Sequence, residues 1–316
     1  MTRASLIVRC YNEERHLGKL LSSLEEQSVK PHQVVVVDSG STDATLQIAV
    51  RHGAHVEHID PRDFSFGRSL NLGCAAATGD ILVMASAHTY PADPHWLERL
   101  LAPFGQDPDA ALVYGRQVGN GLTKLSEQRI FLRQFPPGRE FVLQDHPYCN
   151  NANAAVRRSV WRDMPYDETL TGLEDIDWAS RALERGHTLY YAGDAPVVHV
   201  HEESPRQIMN RYRRESLAWQ RMYPGDGRGT LGCAWALLRD LSGDLAAALG
   251  KRRFLHQAGS CLVFRTMQHL GAWLGRRDLG RLPEELRQAF YYPSAERLKE
   301  PSYRPPSPAK KGNVTR

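Results

Sequence analysis

Three histidines stand at the ends of apolar runs, where an imidazole could bind a metal ion. The stretch "GDILVMASAHTYP" (79–91) is typical of a buried strand that stops at His88. In "VVHVHEES", His199 and His201 have the spacing that puts both rings on one face of a strand. Imidazole suits Mn²⁺ and similar borderline ions. A single histidine on a strand is more often structural, but two on one face beside Glu202 and Glu203 favour a functional site.

The segment "GLEDIDW" offers carboxylates for acid–base chemistry. Glu174, Asp175 and Asp177 fall in the first turn of a predicted helix whose Ile176 and Ala179 would face the core. A carboxylate within reach of a hydroxyl can act as its general base. Acids in a first helical turn are also stabilised by the helix dipole, which would explain all three without catalysis.

A further polar turn follows a predicted buried strand. Asp38 ends a run of four valines and opens "DSGSTD", whose backbone can approach a ligand closely. The alternative is a solvated turn in which Asp43 caps the next helix.

The elements that position these residues alternate along the chain. Strand-like runs such as "SLIVRCY", "QVVVVDS", "HVEHI" and "AALVYGRQV" alternate with helical patterns, among them a helix with Asp93 as N-cap and Pro94 at its first position. This alternation predicts an α/β fold, a mostly parallel sheet flanked by helices, with ligands at the carboxyl ends of the strands. Neither a G-x-G-x-x-G fingerprint nor a P-loop is present.

Four segments in order resemble family 2 glycosyltransferases of the GT-A fold: "SLIVRCYNEE", "VVVVDSGSTDAT", "FGRSLNLGCAAATGDILVMASAH" and "GLEDIDWASRALERG". The resemblance covers roughly residues 4 to 203. It implies an inverting transfer of a sugar from a nucleotide-diphosphate donor to an acceptor hydroxyl, on a lipid-linked or polysaccharide glycan.

The resemblance also implies roles for particular residues. Asp175 would be the catalytic base, with Glu174 and Trp178 holding the acceptor. Ser86, Ala87 and His88 stand where the family usually has Asp-x-Asp, so His88, with His199 and His201, would replace the metal-binding acid and hold Mn²⁺ or Mg²⁺. If the site uses no metal, His88 would instead donate directly to phosphate. The expected nucleotide-binding residues are Cys10, Tyr11, Glu13, Asp38, Arg68, Asn71, Ser86 and Ala87.

Composition divides the chain unevenly. Its 316 residues, 41% of them hydrophobic, suffice for one large domain and an appendage. We predict a GT-A domain over 1–203, a helical C-terminal region over 204–295 and a disordered basic tail over 296–316. Residues 1–204 carry 19 basic against 27 acidic residues and residues 205–316 carry 21 against 9, so net charges of −8 and +12 make up the total of +4.

The basic region and the cysteines bear on location. Basic helices such as "FLHQAGSCLVFRTMQHLGAWLGRR" could lie on an anionic membrane, or form a helical lid on the sheet. Five cysteines without a C-x-x-C pair argue against disulfides and zinc, and the apolar stretch 254–264 is too short to span a bilayer. We predict a cytoplasmic protein, peripheral at the inner face of the membrane, with no nucleic-acid partner.

Two other functions fit the same residues. A nucleotidyltransferase would share the nucleotide-binding half but would prefer a glycine-rich loop with lysine near the N-terminus, which is absent. A non-catalytic nucleotide- or glycan-binding protein would explain the missing Asp-x-Asp, but the intact acids at 174, 175 and 177 weigh against it.

Overall fold

The computed structural model describes residues 2–138, 140–226, 229–249, 254–278 and 289–292. The strands in these ranges are β1 (Ala4–Cys10), β2 (Gln33–Asp38), β3 (His55–His58), β4 (Ile81–Ser86), β5 (Thr89–Pro91), β6 (Ala110–Val118), β7 (Phe141–Gln144), β8 (Asn153–Arg157) and β9 (Thr188–His199). The helices are α1 (Leu17–Glu25), α2 (Thr45–Arg51), α3 (Phe66–Ala76), α4 (Trp96–Gln106), α5 (Leu125–Gln134), α6 (Arg158–Asp163), α7 (Glu174–Glu184), α8 (Pro205–Met222), α9 (Thr230–Ala248) and α10 (Phe254–Arg277).

All the described strands join one sheet in the order β3-β2-β1-β4-β8-β6-β9-β5, and β7 pairs with β9. The predicted α/β class is confirmed, but the sheet is mixed rather than mostly parallel. The pairs from β3 to β4 and the pair β6–β9 are parallel, whereas β8, β5 and β7 run antiparallel to their neighbours. Helix α5 lies between β6 and β7, and helices α6 and α7 lie between β8 and β9, yet the strands of each pair run in opposite directions. A helical connection therefore does not make the strands that it joins parallel in this half of the sheet.

Strand alternation produces two apolar layers. On β1, Ile7 faces one layer, which α3 and α7 cover, and Leu6 and Val8 face the other, which α1 and α4 cover. Helix α3 packs closely, since a Cβ on Gly73 would lie 2.5 Å from Ile7 Cγ2. The register pairs Cys10 with Asp38 and Arg9 with Ser86, so the carboxyl ends of β1, β2 and β4 meet at one edge of the sheet.

Two predicted helix starts have different outcomes. Helix α8 begins as expected, because Ser204 forms a capping box with Gln207 and Pro205 occupies the first turn. The predicted start of α4 at Asp93 and Pro94 is wrong. The Asp93 carboxylate accepts from the His95 backbone amide in a turn, and α4 starts only at Trp96.

The C-terminal region is helical, as predicted. Helix α10 packs on both α8 and α9, and α5 contacts both α9 and α10. Among the described helices, none combines the length and hydropathy that crossing a bilayer requires. The predicted tail 296–316 lies outside the described residues, and the division into domains stays a prediction.

Candidate active site

Three histidines meet at the edge of the sheet where β4 and β9 end. One ring nitrogen from each of His88, His199 and His201 lies within 4.8 Å of those of the other two. The ring centroids of His199 and His201 are 4.0 Å apart, and those of His88 and His199 are 5.1 Å apart. The spacing argument for the pair in β9 therefore holds, although the strand ends at His199 and His201 lies two residues beyond it.

Each of the three rings is held at its Nδ1 atom. The Nδ1 of His88 lies 3.0 Å from Glu13 Oε1, that of His199 lies 2.6 Å from Gln117 Oε1, and that of His201 lies 2.6 Å from Glu127 Oε1. These oxygens accept hydrogen bonds, so we assign the ring proton to Nδ1 and a lone pair to each Nε2. Ligating histidines are commonly oriented in this way by an acceptor behind the ring.

The geometry of His199 supports this assignment. Its ring is buried against Phe131, with the two rings nearly parallel, and its Nε2 has no hydrogen-bond partner among the described residues. Burial first, and then the charges of His201 and His88, lower the pKa of His199 well below its usual value. A buried, neutral imidazole with a bare nitrogen fits a divalent cation, because metal ligation requires the unprotonated ring. Three imidazoles suit borderline ions better than Mg²⁺, which prefers oxygen ligands.

The acids behind this cluster are already neutralised. Glu127 and Glu203 both pair with the guanidinium of Arg211, at 3.1 and 2.7 Å. Burial raises the pKa of Glu127, but the hydrogen bond and charge of His201, together with Arg211, outweigh it and lower that pKa to about 2. We therefore assign Glu127 the task of orienting His201 rather than of binding the cation itself.

Asp175 lies buried at the start of α7. Its two carboxylate oxygens accept from the backbone amides of Asn151 at 3.0 Å and Ile176 at 2.9 Å. Burial, and next the charge of Glu174, raise the pKa of Asp175 to about 7, against the two backbone hydrogen bonds and Arg9. A carboxyl group that titrates near neutral pH is matched to proton transfer.

Glu174 has a different environment. Its carboxylate pairs with Arg9 at 3.3 Å, and that guanidinium also lies over the Phe66 ring. The residue before the helix, Leu173, has φ = 59°, a left-handed conformation that is costly for a branched side chain. This strained start orients the first turn of α7.

A short turn of chain links Asp175 to the histidines. The Asn151 amide donates to Asp175, and the next carbonyl, of Ala152, accepts from the Thr89 hydroxyl at 3.3 Å. Thr89 follows His88 directly in sequence. These hydrogen bonds connect the turn that holds Asp175 to the residue that follows His88.

The expected nucleotide-binding residues divide into two groups. Tyr11 and Glu13 are half-buried at this edge, and Ser86 is also partly accessible. Asp38 is 1% exposed and accepts from the backbone amides of Gly40 and Ser41, so its carboxylate holds the turn in this structure. The Tyr11 ring also packs edge-to-face with the ring of Tyr292, and the two ring centroids are 4.7 Å apart. The sequence did not indicate this contact with the C-terminal region.

The side chains of Cys10, Ala87 and Asn71 do not take their expected roles. Cys10 and Ala87 are buried in the apolar layer, so only their backbone could meet a nucleotide. The Asn71 amide is fully occupied by Trp161, the backbone of Tyr166 and Glu168, and thereby holds the chain that precedes α7.

Arg68 is half-exposed and pairs with Glu168 at 2.8 Å. It lines a cavity of about 270 Å³ that Arg221, Phe290 and Tyr291 also line. Its predicted contact with the nucleotide would therefore require the ion pair to Glu168 to open.

The prediction that Trp178 binds the acceptor is wrong. Its side chain has 0% exposure, and its indole N–H donates to the Met164 carbonyl at 2.6 Å. Tyr166 lies against the ring. Position 178 is one turn after Asp175 on α7, but on the face that packs against the sheet.

The sequence interpretation missed the residues that orient the site. Gln117 lies near the end of β6, Glu127 in the unpredicted helix α5, and Asn151 in the turn before β8. No local motif marks them, because each acts by a contact that only the fold creates. The sequence offered one signal for these residues, because Gln117 lies near the end of a correctly predicted strand.

Comparison with known proteins agrees with this geometry. Residues 5–164 match the glycosyl transferase family 2 model, and the chain belongs to that family. Over 223 residues it is 26% identical to the O-antigen chain rhamnosyltransferase RfbN of Salmonella typhimurium, covering 66% of this chain and 70% of the relative. It is 27% identical over 213 residues to the glycosyltransferase AglE of Haloferax volcanii, covering 64% and 67%.

Among solved structures, a mannosyltransferase of Pyrobaculum calidifontis, determined with GDP-Man and Mn²⁺, superposes with a TM-score of 0.57 at 20% identity. The match covers 86% of this chain and 85% of the other. The GT-A fold and the class of enzyme, a glycosyltransferase, are confirmed. Nothing in these comparisons favours a nucleotidyltransferase or a non-catalytic binding protein.

Proposed function

We propose that this glycosyltransferase moves a sugar from a nucleoside-diphosphate donor to an acceptor hydroxyl with inversion at the anomeric carbon. The observation that carries the proposal is the set of three imidazoles, each held at Nδ1. The turn that follows Asn151 connects this cluster to the buried carboxyl of Asp175. The acceptor is a growing glycan or a lipid-linked glycan, the class that the O-antigen relative's name indicates.

His88, His199 and His201 would hold a divalent cation through their Nε2 atoms. Such a cation would neutralise the diphosphate of a donor and stabilise the charge that develops on it as the leaving group. Imidazole ligands add no negative charge, so a cation held there would keep its full charge for the diphosphate. Glu13, Gln117 and Glu127 fix the rings.

Asp175 takes the proton of the acceptor hydroxyl. The acceptor oxygen then forms a bond to the anomeric carbon from the face opposite the diphosphate, and the bond from that carbon to the phosphate oxygen breaks with its electron pair. Glu174, held by Arg9, lies next to the base and binds the acceptor.

Tyr11 contacts the nucleotide base and ribose, and Asp38 holds the turn beside it through the backbone amides of Gly40 and Ser41. Tyr11 follows β1 and Asp38 ends β2, at the edge where ligands of such sheets bind. Arg68 contributes a cation toward the phosphates once it leaves Glu168. If the acceptor is lipid-linked, the enzyme works at the cytoplasmic face of a membrane.

A nucleotide panel tests this proposal. Thermal shift with nucleoside diphosphates and their sugars, with Mn²⁺, with Mg²⁺ and with excess chelator, should give stabilisation by one nucleotide class that Mn²⁺ enhances. The His95→Ala variant, whose imidazole is exposed on Glu98, serves as the matched control for His199→Ala. Stabilisation that is the same with Mn²⁺ and with chelator would contradict the metal assignment. NMR of the product made from the donor so identified gives the anomeric configuration.

A further inference from the structure

Helix α9 carries a stripe of exposed apolar side chains. Leu231, Trp235 and Leu238 are 88%, 68% and 60% exposed. Their spacings of four and three residues place them on one face of the helix. The opposite face is packed, with Cys233, Ala236, Asp244 and Ala248 buried.

Helix α10 also carries exposed apolar side chains. It runs antiparallel to α9, since Trp273 donates to Thr230, His269 lies 3.2 Å from Asp240, and Arg265 pairs with Asp244. Leu255 and Leu262, seven residues apart, are 83% and 52% exposed. We call the exposed apolar side chains on one face of α9 the hairpin face: Leu231, Trp235 and Leu238.

The hairpin is fixed to the active site. Asp244 is fully buried between Arg265 at 2.7 Å and Arg129 at 3.0 Å, and Arg129 belongs to α5. The same helix provides Glu127, which holds the metal-site residue His201. Whatever binds the hairpin face is therefore held in a set orientation to the catalytic centre.

Basic residues beside the hairpin face favour an anionic occupant. Helix α10 ends in Arg276 and Arg277, and the Arg276 guanidinium lies 3.1 Å from Cys233 Sγ of α9. Residues 205–316 of the sequence together carry a net charge of +12. Two copies of so basic a region would repel each other, whereas an anionic bilayer attracts it and accepts leucine and tryptophan at its interface.

We propose that the hairpin face docks on an anionic lipid surface, with its apolar side chains at the interface and the basic residues on the headgroups. The inference deepens the proposed function, since it rests on a lipid-linked acceptor and names the surface that brings the enzyme to it.

Vesicle sedimentation with the full-length protein tests the proposal. Wild type should bind vesicles of phosphatidylcholine mixed with phosphatidylglycerol, bind pure phosphatidylcholine weakly, and lose most of the binding at about 0.5 M salt. The variant Leu231→Ser/Trp235→Ser/Leu238→Ser should bind at least about tenfold more weakly, because each substitution removes more apolar surface than one CH₂ group. No binding by wild type, or unchanged binding by this variant, would overturn the proposal.

Two controls complete the test. The matched variant Val50→Ser/Leu132→Ser/Leu143→Ser, whose apolar side chains are 67%, 58% and 58% exposed elsewhere, should bind like wild type. A wild-type dimer that the hairpin variant turns into a monomer, without vesicle binding, would assign the face to a second copy and overturn the proposal. Activity on a water-soluble acceptor should be equal in all three proteins. If wild type shows no activity on the water-soluble acceptor, the proposed function is refuted. The vesicle experiment then still tests the docking proposal by itself.

Discussion

Asp175→Asn separates the catalytic from the structural consequences of the buried carboxyl. As the general base, Asp175 must be ionised, so wild-type turnover should rise with pH and level off above about 7, the pKa that burial gives it. The Asn variant cannot accept the proton, and we expect a loss of roughly 10²–10⁴ in kcat at unchanged donor affinity, the usual contribution of a general base.

The same substitution should stabilise the protein at high pH. Raising the pKa from 3.8 to about 7 costs the folded protein ~4 kcal/mol once the carboxyl ionises. That cost is small at pH values below the pKa of the carboxyl in the unfolded chain. It grows as pH rises and is complete above about pH 7. Asn avoids it, although its amide loses one of the two backbone hydrogen bonds at every pH.

The free-energy cost of the lost hydrogen bond is the same at every pH. It therefore cancels when the stability difference between the variant and wild type is compared at two pH values. Between pH 5 and pH 8 the stability of the Asn variant relative to wild type should rise by roughly 2–3 kcal/mol, about 3–5 °C in Tm for a chain of this size. Paired thermal melts and initial rates measure both effects. Asp177→Asn is the matched control for activity, because Asp177 pairs with Arg181 on the same helix and should keep near-normal turnover. Near-normal turnover in Asp175→Asn, or a Tm difference that does not change with pH, would refute the reasoning.

Three further substitutions test separate contacts. His88→Ala should abolish the enhancement by Mn²⁺ of nucleoside-diphosphate binding in calorimetry while leaving a metal-free contribution, and an unchanged enhancement would exclude His88 as a ligand. Glu127→Ala should weaken Mn²⁺ affinity by about 10–100-fold through the loss of the anchor on His201, whereas full affinity would show that the ring needs no anchor. Trp178→Phe should lower Tm without changing the acceptor KM, because the ring is buried, and a raised KM would restore the acceptor role.

The sequence predicted the half of the fold that local patterns determine. Continuous apolar runs located β1, β2, β4 and β6, because strands that are buried on both faces carry few polar residues. It did not locate α5, β7 or β8, which follow β6. The reversal of strand direction there depends on tertiary packing and leaves no periodic signal.

Sequence patterns predicted the histidines proposed to bind the metal, but not the residues that orient their rings. His199 and His201 were found by spacing, and His88 by its place after a strand. Gln117 and Glu127 meet them across 82 and 74 residues of sequence, distances over which pattern carries no information. Trp178 shows the opposite error, since proximity to Asp175 in sequence hid that the helix turns it toward the core.

Anomalous diffraction at the manganese edge, from crystals soaked in Mn²⁺ with and without a nucleoside diphosphate, tests the central claim most directly. The account predicts one strong peak that the Nε2 atoms of His88, His199 and His201 share, at about 2.0–2.2 Å from each, with each Nδ1 still on Glu13, Gln117 and Glu127. A peak ligated by other side chains, or none in the presence of nucleotide, would contradict it.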